Sequence, residues 1–229
     1  MYGMVAADTA NTRKIGIMGG TFDPIHFGHL YIAECSRHRF GLEKVIFIPT
    51  GDPVHKSRRG ITGPAMRMEM TALAIRSNPH FAISRIEVDR PGPTYTVDTL
   101  KELHREGIGD RIFFITGADA IMEILSWKDV DRVFQLCEFI AITRPGYSFK
   151  EIDQVLSRLT KTERDRIHFH QTGGILISST DIRQRVLCGA PIKYLVPEKV
   201  EEYIKEYRLY LPEGEGLTNK QIGSCNEAE

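Results

Sequence analysis

The chain lacks most of what marks a secreted, membrane or nucleic-acid-binding protein. Its four cysteines, Cys35, Cys137, Cys188 and Cys225, include no CxxC pair, a spacing expected of reduced thiols and not of a disulfide or zinc framework. No apolar run approaches the ~18 residues of a membrane span, and the opening MYGMVAADTANTRK holds no secretory apolar stretch. A cytoplasmic protein without membrane contact is the expectation. Neither sign of charge is in excess, since Lys plus Arg and Asp plus Glu both number 30; that balance, with no RNP-type aromatics, disfavours a nucleic-acid partner. Two common nucleotide-binding loops are missing as well: there is no GxxxxGK followed by Ser or Thr, and no GxGxxG after the first strand-like run. At 229 residues the chain fits one domain and can bury roughly 70% of its unfolded surface without a staple.

Apolar strand-like runs are present at Lys14 to Met18, Val45 to Pro49, Phe81 to Val88, Arg111 to Thr116 and Phe139 to Thr143, with a weaker one at Ile167 to Phe169. Helical patterns separate them, and that alternation predicts an α/β fold, a Rossmann-like doubly wound parallel sheet with ligands at the carboxyl ends of its strands. Beyond Thr172 the pattern predicts a C-terminal helical segment of the same domain: a helix at Ser179 to Cys188, an extended YLVP at Tyr194 to Pro197, and a helix at Glu198 to Tyr207. The domain is expected to run over 14–211, with 1–13 a disordered extension and 212–229, rich in Gly, Glu and Asn, a disordered tail.

The most informative stretch is Lys14 to Leu30, KIGIMGGTFDPIHFGHL. A short strand, a Gly19-Gly20 bend and a helix make a phosphate site, because a helix N-terminus carries unpaired N–H groups and about half a positive charge. His26 and His29 add something more specific. Their i, i+3 spacing predicts both imidazoles on one face of the first turn, placed to donate hydrogen bonds to a phosphoryl oxygen as charge grows on it. With no third ligand of obvious spacing nearby, no tightly bound zinc and no other metal site is expected.

GGTFDPIHFGHL closely resembles the signature of the nucleotidyltransferase superfamily with an HxGH motif, whose members join a nucleotide to a phosphorylated acceptor and release pyrophosphate. ISSTDIRQRVLCGAPIKYLVPEKVEEYI resembles the second signature of the pyridine-mononucleotide adenylyltransferases, in bacterial form the nicotinate-nucleotide enzymes. The likeness extends over residues 14–207 and implies transfer of AMP from ATP to nicotinate mononucleotide, giving nicotinate adenine dinucleotide and pyrophosphate in NAD biosynthesis. It names His26 and His29 as catalytic. For ATP it implies Gly19, Gly20, Thr21 and Phe22 of the first turn, Lys56 of the basic PTGDPVHKSRR loop, Gly117 and Asp119 of GADAIMEILSW, and Ser179, Thr180 and Arg183 of the second signature. For the mononucleotide it implies Thr96 of PTYTVDTL, Trp127, Lys128 and Arg144 of TRPG. The family usually carries an aromatic at the position of Lys128, whose backbone N–H is expected to meet the carboxylate.

Each of these positions also has an ordinary structural reading. Ser178 to Thr180 and Asp119 suit helix caps, Lys56 and Arg144 suit a solvated face or turn, and a single tryptophan suits a core. The resemblance further implies Mg²⁺ accompanying ATP, the two small molecules as partners, and leaves a homo-oligomer open. A nicotinamide-mononucleotide or dual-specificity adenylyltransferase, and a catalytically silent nucleotide-binding regulator of the same fold, are the alternatives.

Overall fold

The computed structural model describes residues 12–53, 61–143, 150–173 and 176–212. Among the described residues eight strands follow in chain order: β1 (Lys14–Gly20), β2 (Lys44–Pro49), β3 (Asp52–Pro53), β4 (Phe81–Ile83), β5 (Pro93–Thr94), β6 (Arg111–Gly117), β7 (Glu138–Thr143) and β8 (Ile167–Gln171). The described residues also form nine α-helices: α1 (Phe27–Phe40), α2 (Pro64–Ile75), α3 (Thr96–Arg105), α4 (Ala118–Met122), α5 (Val130–Leu136), α6 (Lys150–Leu156), α7 (Lys161–Arg164), α8 (Ser179–Leu187) and α9 (Glu198–Glu206).

Six strands form one sheet in the order β4-β2-β1-β6-β7-β8, with every pairing parallel. A parallel sheet needs cover on both faces, and the central strands show why. In β7 Phe139 and Ala141 belong to one core, while Ile140 and Ile142 belong to the other. The core of Ile140 and Ile142, the first of the two, also takes Ala33 of α1, Met70 and Ala74 of α2, Ile182 of α8 and Val200 and Ile204 of α9. The second takes Leu100 and Leu103 of α3, Ile121 of α4 and Val133 and Phe134 of α5. The expected doubly wound sheet is therefore present.

β1 pairs with β2 on one side and β6 on the other, so the chain leaves β1 in opposite directions along the sheet. The crevice at such a switch point is where ligands bind. It lies at the carboxyl ends of β1 and β6.

Four expectations need correction. The run Phe81 to Val88 is a strand only over Phe81–Ile83; Glu87 turns inward and accepts a hydrogen bond from Thr99 Oγ1 at 2.8 Å. YLVP is a turn, with Tyr194 at φ 66° and an isolated bridge between Lys193 and Val196. Arg13, assigned to the N-terminal extension, is tied down by its N–H to Asp110 Oδ2 at 2.7 Å and by its guanidinium to the Ile108 carbonyl at 2.8 Å. Finally, Cys35 and Cys137 are free but Cys188 is disulfide-bonded, so the expected set of reduced thiols is incomplete. Among the described residues no helix is long and apolar enough to cross a membrane.

Candidate active site

β1 delivers Gly19 and Gly20 to the switch point. A Cβ on Gly20 would lie 2.9 Å from Phe22 Cε1, so only glycine admits the Phe22 ring, whose backbone sits at φ 49°. The turn then runs through a cis Asp23–Pro24 bond to His26, the N-cap of α1. His26 and His29 stack, with ring centroids 3.7 Å apart and planes 23° apart. The glycine between them is steric in origin. A Cβ on Gly28 would lie 3.0 Å from both Cε1 and Nδ1 of His26.

His26 is 6% exposed, and burial lowers its pKa from 6.5 to about 4, so it is neutral at pH 7. Its Nδ1 is buried without a hydrogen-bond partner. The His26 backbone N–H donates to His29 Nδ1 at 3.3 Å, which in neutral His29 puts the ring proton on Nε2. The Phe22 ring meets the His29 ring edge-on at 5.1 Å.

The first amide of α1 is already used, because Phe27 N–H donates to the Leu195 carbonyl at 3.0 Å. The helix end is thus partly closed by the YLVP turn, and less of its amide fan faces a ligand than the sequence suggests. The second signature reaches the same turn. Ser178 caps α8 by accepting the Asp181 N–H at 3.0 Å. Ser179 Oγ donates to the Pro24 carbonyl at 2.9 Å, and Arg183 donates to the Asp23 carbonyl at 2.7 Å and to Thr180 Oγ1 at 3.3 Å. Ser179 therefore joins the two signatures, as does Arg183 through its bond to Asp23, while a second of its five donors stays within the second signature on Thr180.

Across the switch point, Gly117 caps α4 and Asp119 sits exposed in that helix's first turn. Thr96 is the first residue of α3, after Tyr95 as its N-cap. Trp127 is half-buried, edge-on to Phe114 at 5.9 Å and Phe139 at 6.0 Å, so core packing holds it in place. Lys128 bridges the two segments, with Nζ 4.1 Å from the Tyr95 ring centroid and 3.1 Å from Asp98 Oδ2. Lys56 and Arg144 lie outside the described residues.

A Cytidylyltransferase-like family model matches residues 17–185. The "Probable nicotinate-nucleotide adenylyltransferase" of Moorella thermoacetica is 52% identical over 208 residues, covering 90% of this chain and 96% of the relative. That of Thermoanaerobacter sp. (strain X514) is 51% identical over 198 residues, covering 86% and 94%. The chain belongs to the nicotinate-nucleotide adenylyltransferases. Plasmodium falciparum nicotinic acid mononucleotide adenylyltransferase, solved with APC and with NaAD, shares the fold at TM-scores of 0.69 and 0.70 and 20% identity, over 86% of this chain and 97% of that one.

For an adenylyltransferase of this family, three buried polar residues of the site were not singled out from the sequence. Arg67 is 1% exposed and lies on the buried stripe of α2 with Met70, Thr71 and Ala74; a lone arginine at i, i+3, i+4, i+7 spacing among core positions was the available signal. Asp23 is buried beneath the turn, inside the first signature but without a role assigned to it. Glu87 is buried, and burial raises its carboxyl pKa, beside Thr99 and the β5–α3 segment that leads to Thr96. Among the described residues no group of three or more His, Cys, Asp or Glu is placed to hold a metal.

Proposed function

We propose that this chain transfers the adenylyl group of ATP to nicotinate mononucleotide, forming nicotinate adenine dinucleotide and pyrophosphate. The observation that carries the reading is the stacked His26–His29 pair at the start of α1, at the sheet's switch point, in a chain of this family. A 5′-phosphate oxygen of the mononucleotide attacks the α-phosphorus of ATP in line. The bond from that phosphorus to the bridging oxygen breaks, and pyrophosphate leaves with the electron pair.

The acceptor oxygen is anionic at neutral pH, so no general base is needed. Catalysis is positioning and charge stabilisation. Neutral His26 and the Nε2–H of His29 donate to the α-phosphoryl oxygens. Lys56, Thr180 and the remaining donors of Arg183 hold the leaving phosphates, with Gly19, Gly20, Thr21, Phe22 and Ser179 shaping the turn beneath them. Asp119 binds ribose hydroxyls next to Gly117. Mg²⁺ accompanying ATP would offset the charge of its phosphates, with no side chain of this chain assigned to hold it.

On the mononucleotide side, Thr96 and backbone N–H groups receive the nicotinate carboxylate, Trp127 lies against the pyridinium, Lys128 lines that region, and Arg144 meets the phosphate. Nicotinamide would turn its own NH₂ towards those donors, and each unpaired buried group costs ~1–3 kcal/mol. The test is pyrophosphate release from ATP with each mononucleotide in parallel. Nicotinate mononucleotide is expected to win by at least ~10²-fold in kcat/KM. Equal values would leave an adenylyltransferase without acid preference.

A further inference from the structure

The turn from Thr21 to Ile25 is gripped by groups from remote parts of the chain that the reaction does not consume. Arg67 Nη1 donates to the Thr21 carbonyl at 2.7 Å, Nη2 to the Thr50 carbonyl at 2.7 Å, and Nε to the Thr62 carbonyl at 2.8 Å. Three separate loops are thereby joined by one planar fork. An uncompensated buried charge is costly. An apolar side chain would fill this stripe position without that cost, but it could not tie three carbonyls together.

Asp23 completes the arrangement from below. Its Oδ2 accepts the Thr62 N–H at 3.1 Å and its Oδ1 accepts the Tyr210 hydroxyl at 2.9 Å, across 187 residues of sequence. Burial and the adjacent Asp23 charge push the Tyr210 hydroxyl pKa well up, which keeps it a donor. Above this layer Phe22, forced to φ 49°, sets its ring against His29. Displacement of Thr21 or Asp23 therefore moves the histidines.

We propose that Arg67, Asp23 and Tyr210 form a buried brace that fixes the histidine-bearing turn and so positions His26 and His29 over the reacting phosphate. These are positioning residues, and the proposal rests on the reading of the two histidines as the groups that meet that phosphate. Its consequence is a defect in kcat more than in substrate binding, since misplacement of order 1 Å far from the chemistry can cost ~10²-fold in rate.

Arg67→Lys keeps the charge but loses the fork, and Tyr210→Phe loses a single hydroxyl. At saturating substrates, kcat should fall ~10²-fold for Arg67→Lys and ~5- to 10-fold for Tyr210→Phe, with each KM within ~3-fold of wild type. In a His26→Ala/His29→Ala background the same changes should cost less than ~2-fold, because the groups they position are gone. Imidazole ¹⁵N NMR supplies a readout independent of turnover. His26, stacked on His29, should stay neutral down to about pH 5 in wild type, whereas Tyr210→Phe should let it titrate closer to 6.5.

Full additivity in the His26→Ala/His29→Ala background would overturn the brace. So would a folded Tyr210→Phe with wild-type kcat and an unchanged His26 titration. If Arg67→Lys does not fold, Tyr210→Phe decides. If His29→Ala alone keeps wild-type kcat, the histidine assignment fails, and the His26 titration still decides whether the brace sets the turn.

Discussion

The two sides of the switch point are built differently. On the β1–α1 side, the Thr21, Asp23 and Pro24 carbonyls each accept from a side chain of α2 or α8 in part-buried bonds, with Arg67 and Asp23 themselves buried. On the α3 side, the link between Tyr95, Asp98 and Lys128 lies near the surface, with the Lys128 and Asp98 side chains 50% and 38% exposed. Buried, hydrogen-bonded groups resist displacement, whereas an exposed ion pair is worth ~0–1 kcal/mol and is screened by salt. Under the proposed function, the first side holds transition-state geometry and the second discriminates among mononucleotides. Variants of the first should therefore damage turnover, and variants of the second should shift preference.

The largest expected effect is thermodynamic. His26 has a folded pKa of about 4 against a usual 6.5, so the folded state favours the neutral ring. That contribution is complete above pH 6.5 and is lost as pH falls towards 4; it amounts to ~3 kcal/mol, at 1.36 kcal/mol per pKa unit. Urea unfolding from pH 7.5 to 4.5 should show this loss in wild type, and His26→Asn should lack most of it. Next comes Gly28→Ala, whose added Cβ meets the His26 ring at 3.0 Å. Displacement of the ring should lower kcat by ~30- to 100-fold with little change in Tm.

Smaller effects belong to the other side. Thr96→Ala should narrow the nicotinate preference by about tenfold, chiefly by raising KM for the acid, because one hydroxyl donor contributes ~1–2 kcal/mol. Lys128→Ala should change stability by less than ~1 kcal/mol and the acid-to-amide ratio by only a few-fold. If Lys128→Ala harmed kcat more than Gly28→Ala, the contrast between the two sides would collapse.

How far the sequence discloses this arrangement follows the same division. Local chemistry was legible: the Gly19-Gly20 bend, the shared face of His26 and His29 at i, i+3, and the cap before α8 all involve residues close in sequence. β4 misled because FAISRIEV alternates like a strand, whereas Arg85 pairs with Asp89 at i, i+4 in a turn and Glu87 faces the core. YLVP reads as extended, yet Tyr194 adopts φ 66° and Leu195 meets the start of α1. The Arg67, Asp23 and Tyr210 network was illegible for a different reason. Its bonds to the first turn run across 46 residues from Arg67 to Thr21 and 187 from Tyr210 to Asp23, and no local period links a guanidinium on α2 to a carbonyl in that turn.

The claim at the centre of this account is that the stacked pair stabilises charge developing at the α-phosphate. The most direct measurement is kcat for pyrophosphate release by His29→Ala, with ATP and nicotinate mononucleotide saturating and ATP affinity and Tm measured alongside. A loss of at least ~10²-fold in kcat with ATP affinity and Tm nearly unchanged is predicted. A folded His29→Ala protein turning over at close to the wild-type rate would contradict it.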